Sequence, residues 1–149
     1  MNDINALYQD AIKQFAHADH GRGQLADATA EAKLDNPLCG DRVRMQVEMA
    51  SGHIAAIAHE TKGCLLCRAA ASVIGAHAVG QDEEAIESVA TALENMLKNE
   101  TPVPAGWPEL SMFKPARAYP SRHRCVLLPF RALLAALTKS SRRDAPRWR

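Results

Sequence analysis

The chain has 149 residues, of which 47% are hydrophobic and 23% charged, and its formal net charge is +1. This composition is typical of one globular domain and argues against two full domains. No apolar run approaches the roughly eighteen residues that a membrane span needs, and the first residues lack the basic and then apolar order of a secretory signal. The sequence therefore predicts a cytoplasmic protein with no membrane partner, whose four cysteines are free thiols for metal binding or reaction.

The last segment of the chain, residues 139–149, is basic, with five lysines or arginines and one aspartate. Elsewhere the sequence does not interleave basic and aromatic residues along a face, which argues against a nucleic-acid partner. We interpret the segment as a basic, flexible tail. The rest of the chain, residues 1–138, is expected to form a single domain.

Two segments precede the first cysteine. Apolar residues at intervals of three and four predict a helix over residues 3–17, which Asp3 would cap. Residues 17–37 have no clean hydrophobic period, contain two glycines and many small polar residues, and end at the Asn36-Pro37 break. This second segment is interpreted as a linker.

A hairpin is predicted after the linker. Residues 42–50 alternate apolar with polar side chains, as a strand with one exposed face requires. The Ser51-Gly52 pair that follows is typical of a tight turn. Residues 53–60 would pair back as a second strand, with a β pattern weakened by their alanines. A small antiparallel sheet is the expected result, and the sequence pattern gives no place for a third strand.

Helix formers dominate the next two segments. Residues 64–79, after a chain break at Gly63, predict one helix. A second helix begins at Asp82, and its first turn carries acidic residues, which the positive end of a helix favours.

Prolines punctuate residues 101–120, and this stretch predicts an extended cover with at most one short helical turn. Its two large aromatic residues, Trp107 and Phe113, are expected to anchor the cover on the core. A last helix follows. In it, Pro129 either occupies the first turn or kinks a helix that begins near Ser121.

Three of the cysteines lie at predicted breaks between elements: Cys39 before the first strand, Cys64 at a strand-to-helix junction, and Cys125 ahead of the next proline. Side chains at the ends of separate elements can meet at one point without bending regular structure, as a metal site needs. Asp41 lies two residues after Cys39, so both can project to the same side of an extended segment. Three thiolates and one carboxylate form a tetrahedral set that suits zinc, and an iron–sulfur cluster is the alternative for the same thiolates.

Three ordered sequence blocks carry these cysteines: NPLCGD (36–41), KGCLLCRAAAS (62–72) and RCVLLPF (124–130). In these blocks the chain resembles the iron–sulfur cluster assembly scaffolds of the SufU/IscU/NifU type. The long interval between Cys64 and Cys125 is similar to that of the SufU type. The resemblance implies an α+β fold of the SufE/NifU-like kind, in which a small antiparallel sheet packs against several helices.

The resemblance also implies roles for single residues. Cys39, Asp41, Cys64 and Cys125 match the positions that bind the metal or cluster in the family. SufU types bind zinc there and accept persulfide sulfur from a cysteine desulfurase, at the position of Cys39. IscU types build a [2Fe–2S] cluster for apo iron–sulfur proteins or downstream carriers and accept sulfur at the position of Cys125. The implied function is that of a scaffold and sulfur carrier, or of a zinc-dependent sulfurtransferase.

The chain departs from the family pattern at several positions. Arg124 stands where IscU types have a histidine, and because arginine cannot ligate a metal, this departure favours the SufU type. We interpret Arg124 as a counter-charge beside the thiolates or as a contact for an acidic partner, and Arg68 as a second candidate counter-charge. Cys67 stands where a serine is usual. It is either an auxiliary ligand, a resolving thiol or a small residue of the core.

Histidines near the cysteine blocks are also candidates for the site. His59 and Thr61 stand where phenylalanine and glycine are typical of the family, and His123 precedes Arg124. We expect His59 and His123 to make satisfied polar contacts rather than to bind a metal.

Two other functions stay open at this point. Cys64 and Cys67 form a CxxC at a helix start, which is the setting of a thiol–disulfide oxidoreductase, but that function leaves Cys39, Asp41 and Cys125 without a task. A structural zinc-binding interaction domain is the third reading. The sequence also leaves open whether zinc, iron or a cluster fills the site and which cysteine accepts sulfur first.

Overall fold

A computed structural model of the chain describes residues 9–143. It contains one three-stranded antiparallel sheet, in the order β1-β2-β3, and helices that pack against it. The α+β fold with a small antiparallel sheet is therefore confirmed. The elements are, in chain order, α1 (Asp10–Ala18), β1 (Ala30–Asn36), β2 (Asp41–Ala50), β3 (His53–Lys62), α2 (Leu65–His77), α3 (Glu83–Asn99), a 3₁₀ helix (Pro108–Ala118) and α4 (Pro120–Arg143).

The strand β1 lies inside the segment that we interpreted as a linker, so that interpretation is wrong for residues 30–36. Ala30 and Ala32 point into the core, while Lys33 and Asp35 are exposed. The alternation is real but rests on alanine, which contributes little to a hydrophobic pattern and has a low strand propensity. Pairing with β2 along its whole length forms the strand.

The predicted hairpin is confirmed as β2 and β3. Val43, Met45 and Val47 are fully buried on the inner face of β2. Ser51 and Gly52 both adopt positive φ, at 53° and 80°, as a two-residue turn between twisted strands requires. The hairpin is longer than expected, because β2 begins at the site residue Asp41 and β3 runs two residues beyond its predicted end.

The first helix is confirmed from Asp10 onward, whereas Gln9, inside the predicted range, is extended and forms the N-cap. Ile12 and Ala16 are fully buried on one face of α1, as the spacing of apolar residues predicts. Residues 3–8, including the predicted cap Asp3, lie outside the described residues. After α1, residues 19–23 run beside β3, with a backbone hydrogen bond from His59 N–H to the carbonyl of Gly21.

The helices α2 and α3 build most of the core. Nearly the whole length of α2 is buried, from Leu66 to Ile74. Asp82 caps α3, and its carboxylate accepts a hydrogen bond from the Ala85 N–H at 2.8 Å. This contact satisfies one of the amide groups that the first turn of a helix leaves without a partner. Both helices are confirmed.

The proline-rich cover differs from its prediction, because eleven residues of it form a 3₁₀ helix rather than one short turn. Pro108 occupies the first turn, where its missing N–H removes no hydrogen bond. Trp107 and Phe113 are 3% and 0% exposed. Their anchoring role is therefore confirmed, and burial of these rings stabilises a helical path that the proline count disfavours.

The last helix begins at Pro120 and contains Pro129 in its interior, which confirms a helix that begins near Ser121. The helix also extends through residues 139–143, which belong to the segment that we interpreted as a tail. Lys139 donates to the carbonyl of Glu31 at 2.9 Å, and Ser141 bonds to the Glu83 carboxylate. These contacts tie the last turns of α4 to β1 and α3. Residues 144–149 lie outside the described part of the chain. Among helices within residues 9–143, none combines the length and hydropathy that a membrane crossing demands.

Candidate metal centre

Four elements bring the predicted site residues to one end of the sheet. Cys39 lies in the turn between β1 and β2, and Asp41 is the first residue of β2. Cys64 is the N-cap of α2, and Cys125 lies in the second turn of α4. Cys39 is exposed and Cys64 half-buried, whereas Asp41 and Cys125 are buried.

The position of Cys125 corrects the prediction that this residue lies at a break between elements. Because α4 begins at Pro120, residue 125 is inside the helix. Its side chain is 0% exposed and reaches the turn that carries Cys39. The helix therefore holds this thiol more rigidly than a loop would.

The ligand atoms of Cys39, Asp41 and Cys125 form a compact group. All three atoms lie within 4.8 Å of one another, and the two sulfur atoms are 3.6 Å apart. Tetrahedral zinc with Zn–S bonds of about 2.3 Å would separate two sulfur ligands by roughly 3.8 Å. The spacing of the two thiols therefore fits zinc without rearrangement of the backbone.

Cys64 joins this group through Cys125. It is not one of the three residues whose ligand atoms are mutually within 4.8 Å, and the Cys125 thiol donates its hydrogen bond to Cys39 at 3.6 Å, but the neighbouring Cys125 thiol lowers the pKa of Cys64. Its backbone N–H donates to the Asp41 carboxylate at 3.0 Å. Cys125 thus lies between the other two thiols and beside the carboxylate, as the central residue of the cluster.

The carboxylate of Asp41 has one oxygen without a partner. Oδ1 accepts the bond from Cys64, whereas Oδ2 is buried and has no hydrogen-bond donor. A buried carboxylate oxygen in this state is destabilising unless a donor or a cation is present. A metal ion between the carboxylate and the thiols would satisfy it, so the donor set fits a bound ion.

Gly63 leaves the space that this carboxylate occupies. A Cβ atom at residue 63 would lie well inside contact distance of Asp41 Oδ1 and Cγ. The sequence reasoning treated Gly63 only as a chain break. Its place directly before Cys64 was the signal that this glycine belongs to the site.

The thiols of the pair Cys64 and Cys125 have opposite pKa shifts. The neighbouring Cys125 thiol lowers the pKa of Cys64 to about 6, against the opposing effect of burial, and the N–H of Cys67 at the start of α2 adds to the lowering. The pKa of Cys125 is raised by its interaction with Cys64 and by burial. Without a metal, Cys64 is therefore the thiolate of the pair and Cys125 the neutral thiol.

Cys67 lies in the core rather than among the ligand atoms. It is 0% exposed and packs within the main hydrophobic cluster. Burial, followed by the negative charge of Asp41, raises the pKa of its thiol. Of the three readings, this environment favours the small core residue.

The two predicted counter-charges have different surroundings. The guanidinium of Arg68 donates to the carbonyl of Ala16 at 3.4 Å, at the end of α1, so its observed hydrogen bond is to the backbone rather than to sulfur. Arg124 is exposed and lines a cavity of about 640 Å³ together with Cys39 and Cys64. Arg124 is therefore one of the cations at the mouth of the site, where Arg122 lines the same cavity.

Both histidines near the cysteine blocks make the polar contacts that we expected. His59 is buried, with Nε2 2.8 Å from the carbonyl of His20 and Nδ1 3.0 Å from the Thr61 hydroxyl. His123 Nε2 lies 3.0 Å from the carbonyl of Ala116. Burial lowers the pKa of His59, so its ring is neutral and Nε2 carries the proton that the carbonyl accepts.

Comparison with known proteins bears on these residues directly. The sequence pattern of the family described as "NifU-like N terminal domain" matches residues 7–112. This span includes Cys39, Asp41 and Cys64 and ends before Cys125. Two individual relatives align with more than nine-tenths of this chain, so their alignments also include Cys125.

Two relatives have described functions. The iron-sulfur cluster assembly scaffold protein IscU of Thermotoga maritima is 29% identical over 136 residues, which are 91% of this chain and 96% of that protein. The zinc-dependent sulfurtransferase SufU of Bacillus subtilis is 23% identical over 140 residues, which are 92% of this chain and 93% of that protein.

Two solved structures share the fold. The N-terminal part of a nitrogen-fixing NifU-like protein from Brucella abortus superimposes with a TM-score of 0.89 at 31% identity, covering 95% of this chain and 99% of that one. A scaffold described as a SUF-system protein from Fervidobacterium islandicum gives a TM-score of 0.80 at 22% identity, covering 91% of this chain and 99% of that one. The second likeness concerns the fold alone.

Proposed function

The chain belongs to the NifU-like N-terminal domain family, and on that premise we propose that it is an iron–sulfur cluster assembly protein that accepts sulfur from a cysteine desulfurase and serves as a scaffold. The observation that carries this proposal is the group of Cys39, Asp41 and Cys125, whose ligand atoms lie within 4.8 Å of one another. The orphaned Oδ2 of Asp41 supports it, because that atom has no other partner.

The residues that would hold a metal ion are Cys39, Asp41, Cys64 and Cys125. Three thiolates and one carboxylate suit zinc, and the same thiolates suit a [2Fe–2S] cluster as cargo. Bound zinc would keep the thiols deprotonated and protected. The sulfurtransferase among the relatives is named zinc-dependent, and the scaffold among them is named for cluster assembly. We propose zinc for the resting site and the cluster as the assembled product.

We assign Cys39 as the sulfur acceptor. It is the most accessible thiol of the site and lies in the wall of the open cavity, whereas Cys125 is fully buried. The Cys39 thiolate would attack the outer sulfur of a persulfide on the partner enzyme. The partner's S–S bond breaks, its cysteine leaves as a thiolate, and the new S–S bond forms on Cys39. Cys125 is the alternative acceptor, and it would need α4 to open.

The surroundings of the cavity favour docking of a protein partner. Leu38, next to Cys39, is 80% exposed and offers apolar surface beside the proposed acceptor thiol. Arg124 lines the same cavity and supplies a positive charge for an acidic partner surface. We propose the desulfurase as this partner and apo iron–sulfur proteins or downstream carriers as recipients. All four cysteines are free, in keeping with a reducing cytoplasm.

A direct test is to incubate the chain with a cysteine desulfurase and L-cysteine and to locate the added sulfur by mass spectrometry. We expect the persulfide on Cys39 in the wild type and its loss in Cys39→Ser. The matched control Cys67→Ser removes a buried thiol of the same chain and should retain the persulfide. Unchanged sulfur loading in Cys39→Ser would contradict the assignment of this residue, and no loading of the wild type would contradict the function.

The two competing functions explain fewer of the residues. A thiol–disulfide oxidoreductase built on Cys64 and Cys67 gives no role to Cys39, Asp41 or Cys125, although the ligand atoms of these three residues lie within 4.8 Å of one another. A structural zinc domain would hold the metal through the same residues. It differs from our proposal in one measurable respect, because it would not stimulate a desulfurase or receive its sulfur.

A further inference from the structure

Asn36 is a buried polar residue of the site for which neither the fold nor the ligand set gives a full account. It is the last residue of β1 and is only 4% exposed. Its carbonyl accepts backbone hydrogen bonds from Cys39 at 3.2 Å and Gly40 at 2.8 Å. The turn that carries Cys39 is therefore wrapped around Asn36.

The orientation of the Asn36 amide follows from one contact. Oδ1 accepts a hydrogen bond from the N–H of Leu38 at 3.3 Å, which fixes the oxygen on the side of the turn. The amide nitrogen Nδ2 points away from that contact. It is buried and has no hydrogen-bond acceptor. A buried N–H donor without an acceptor costs free energy, because its bond to water is lost and not replaced.

A second orphaned atom lies on the residue opposite. Asn36 pairs with Asp41 across the two strands, and Asp41 Oδ2 is also buried without a partner. A donor and an acceptor on paired residues do not bond to each other here. Each is therefore free for a third group, and for the carboxylate that group is a metal ion.

The chemistry of sulfur indicates the acceptor that Nδ2 lacks. Asn36 and Cys39 line the same cavity. A neutral thiol is a weak acceptor, so the metal-free form offers Nδ2 little, whereas a thiolate that binds a metal is a charged acceptor and forms much stronger hydrogen bonds. Groups that donate to the ligands of a metal orient them and tune the metal's affinity.

We infer that Asn36 is a positioning residue of the metal centre, whose Nδ2–H group donates to the sulfur of Cys39 when that sulfur is a metal-bound thiolate. This inference rests on the proposed function, because it requires Cys39 to be a ligand. It assigns to the asparagine of the NPLCGD block a role distinct from its backbone contacts. The amide would hold the Cys39 sulfur in place and withdraw electron density from it.

Two variants distinguish the effect of the Nδ2 donor from the effect of the Oδ1 contact that supports the turn. Asn36→Asp keeps an oxygen for the Leu38 N–H and loses the donor, whereas Asn36→Ala loses both without adding charge. Asn95→Asp, on the exposed face of α3, is the control for the same chemical change away from the site. Each purified full-length protein is titrated with Zn²⁺ against a competing chelator and is separately loaded with Co²⁺ for absorption spectroscopy.

We expect both Asn36 variants to bind Zn²⁺ at least tenfold more weakly, in the range typical of lost partners of metal ligands. The carboxylate of Asn36→Asp by itself would strengthen binding of a cation, so weaker binding has to come from the lost donor. The sulfur-to-cobalt charge-transfer band should move to lower energy in both variants, because a thiolate without the hydrogen bond is a stronger electron donor. Asn95→Asp should match the wild type in both measurements.

Wild-type affinity and an unshifted band in the Asn36 variants would overturn the inference while leaving the proposed function intact. Weaker binding with an unshifted band would also overturn it, because a purely structural role for the turn lowers affinity without changing the sulfur's electronic state. If the wild type itself shows no sulfur-to-cobalt band, the proposed metal centre fails, and the role of Asn36 fails with it.

Discussion

The carboxylate of Asp41 and the missing side chain of Gly63 form one structural feature. Asp41 Oδ1 bonds to the N–H of Cys64, and the same oxygen fills the space in which a Cβ of residue 63 would lie. Gly63 therefore decides whether the carboxylate can approach the start of α2. The second oxygen of Asp41 is left without a hydrogen-bond donor, and in our proposal this oxygen binds the metal ion.

We predict that Gly63→Ala lowers the affinity for Zn²⁺ at least tenfold, because the new methyl group displaces the carboxylate from the ligand group. The measurement is a chelator competition titration on Gly63→Ala, Asp41→Ala and the double variant. Since the effect of Gly63→Ala acts through Asp41, the double variant should bind no more weakly than Asp41→Ala alone. Fully additive losses would show that residue 63 acts independently of the carboxylate.

The proline-rich segment and α2 are joined by a small cluster of side chains. Trp107 lies against His77 and Phe130, with ring centroids 5.1 Å and 5.8 Å apart. His77 Nε2 is 2.8 Å from the carboxylate of Glu109 in the 3₁₀ helix. These contacts hold the segment on the end of α2 and on α4, the two helices that carry Cys64 and Cys125.

We predict that Trp107→Ala destabilises the protein by about 3 kcal/mol, since removal of a buried tryptophan leaves a large cavity. Urea denaturation followed by circular dichroism measures this value. Val79→Ala, at a side chain that is 55% exposed, is the control and should change stability by less than about 0.5 kcal/mol. Equal effects of the two substitutions would mean that the proline-rich segment does not anchor the helices.

Within residues 9–143, His59 is a buried histidine whose protonation would oppose folding. His59 joins β3 to the segment after α1, and burial is the main cause that lowers its pKa from the ordinary value of 6.5. The unfolded chain therefore binds a proton on this ring at a higher pH than the folded protein does. The contribution of neutral His59 to stability is present above pH 6.5 and is lost as the pH falls towards the folded pKa.

We predict that the free energy of unfolding falls between pH 7 and pH 5 in the wild type and falls less steeply in His59→Gln. A single group changes this slope by at most about 1.4 kcal/mol per pH unit. Chemical denaturation at a series of pH values measures the slope, and His53→Gln, at an exposed histidine, serves as the control. Parallel curves for the wild type and His59→Gln would contradict a neutral, buried ring.

Much of the architecture could be predicted from the chain, and the failures have physical causes. The hairpin and α3 were predictable because Val, Met and Ile at regular intervals define a buried face. The strand β1 was missed because Ala30 and Ala32 carry little hydrophobic signal. Its pairing with β2 stabilises a strand that the low strand propensity of alanine disfavours. The length of the 3₁₀ helix was underestimated because Trp107 and Phe113 stabilise it by packing on the core, and a linear sequence does not show that packing.

The geometry of the candidate site could not be predicted from the sequence. Spacing and sequence blocks pointed to Cys39, Asp41, Cys64 and Cys125, yet Cys125 was placed at a break rather than inside α4. Contacts between segments that are distant in the chain depend on how the strands pair, and a linear sequence does not show them. One example is the contact of the Asp41 carboxylate with the space at Gly63. Cys67 could be a ligand or a core residue by sequence, and burial distinguishes these roles only in the folded chain.

The most direct test of the metal centre is X-ray absorption spectroscopy at the zinc edge on the protein loaded with one equivalent of Zn²⁺. We predict three sulfur ligands at about 2.3 Å and one oxygen at about 2.0 Å, and the loss of one sulfur ligand in Cys125→Ser. Zinc bound mainly by oxygen or nitrogen, or a spectrum of Cys125→Ser identical to that of the wild type, would contradict a centre built from Cys39, Asp41, Cys64 and Cys125.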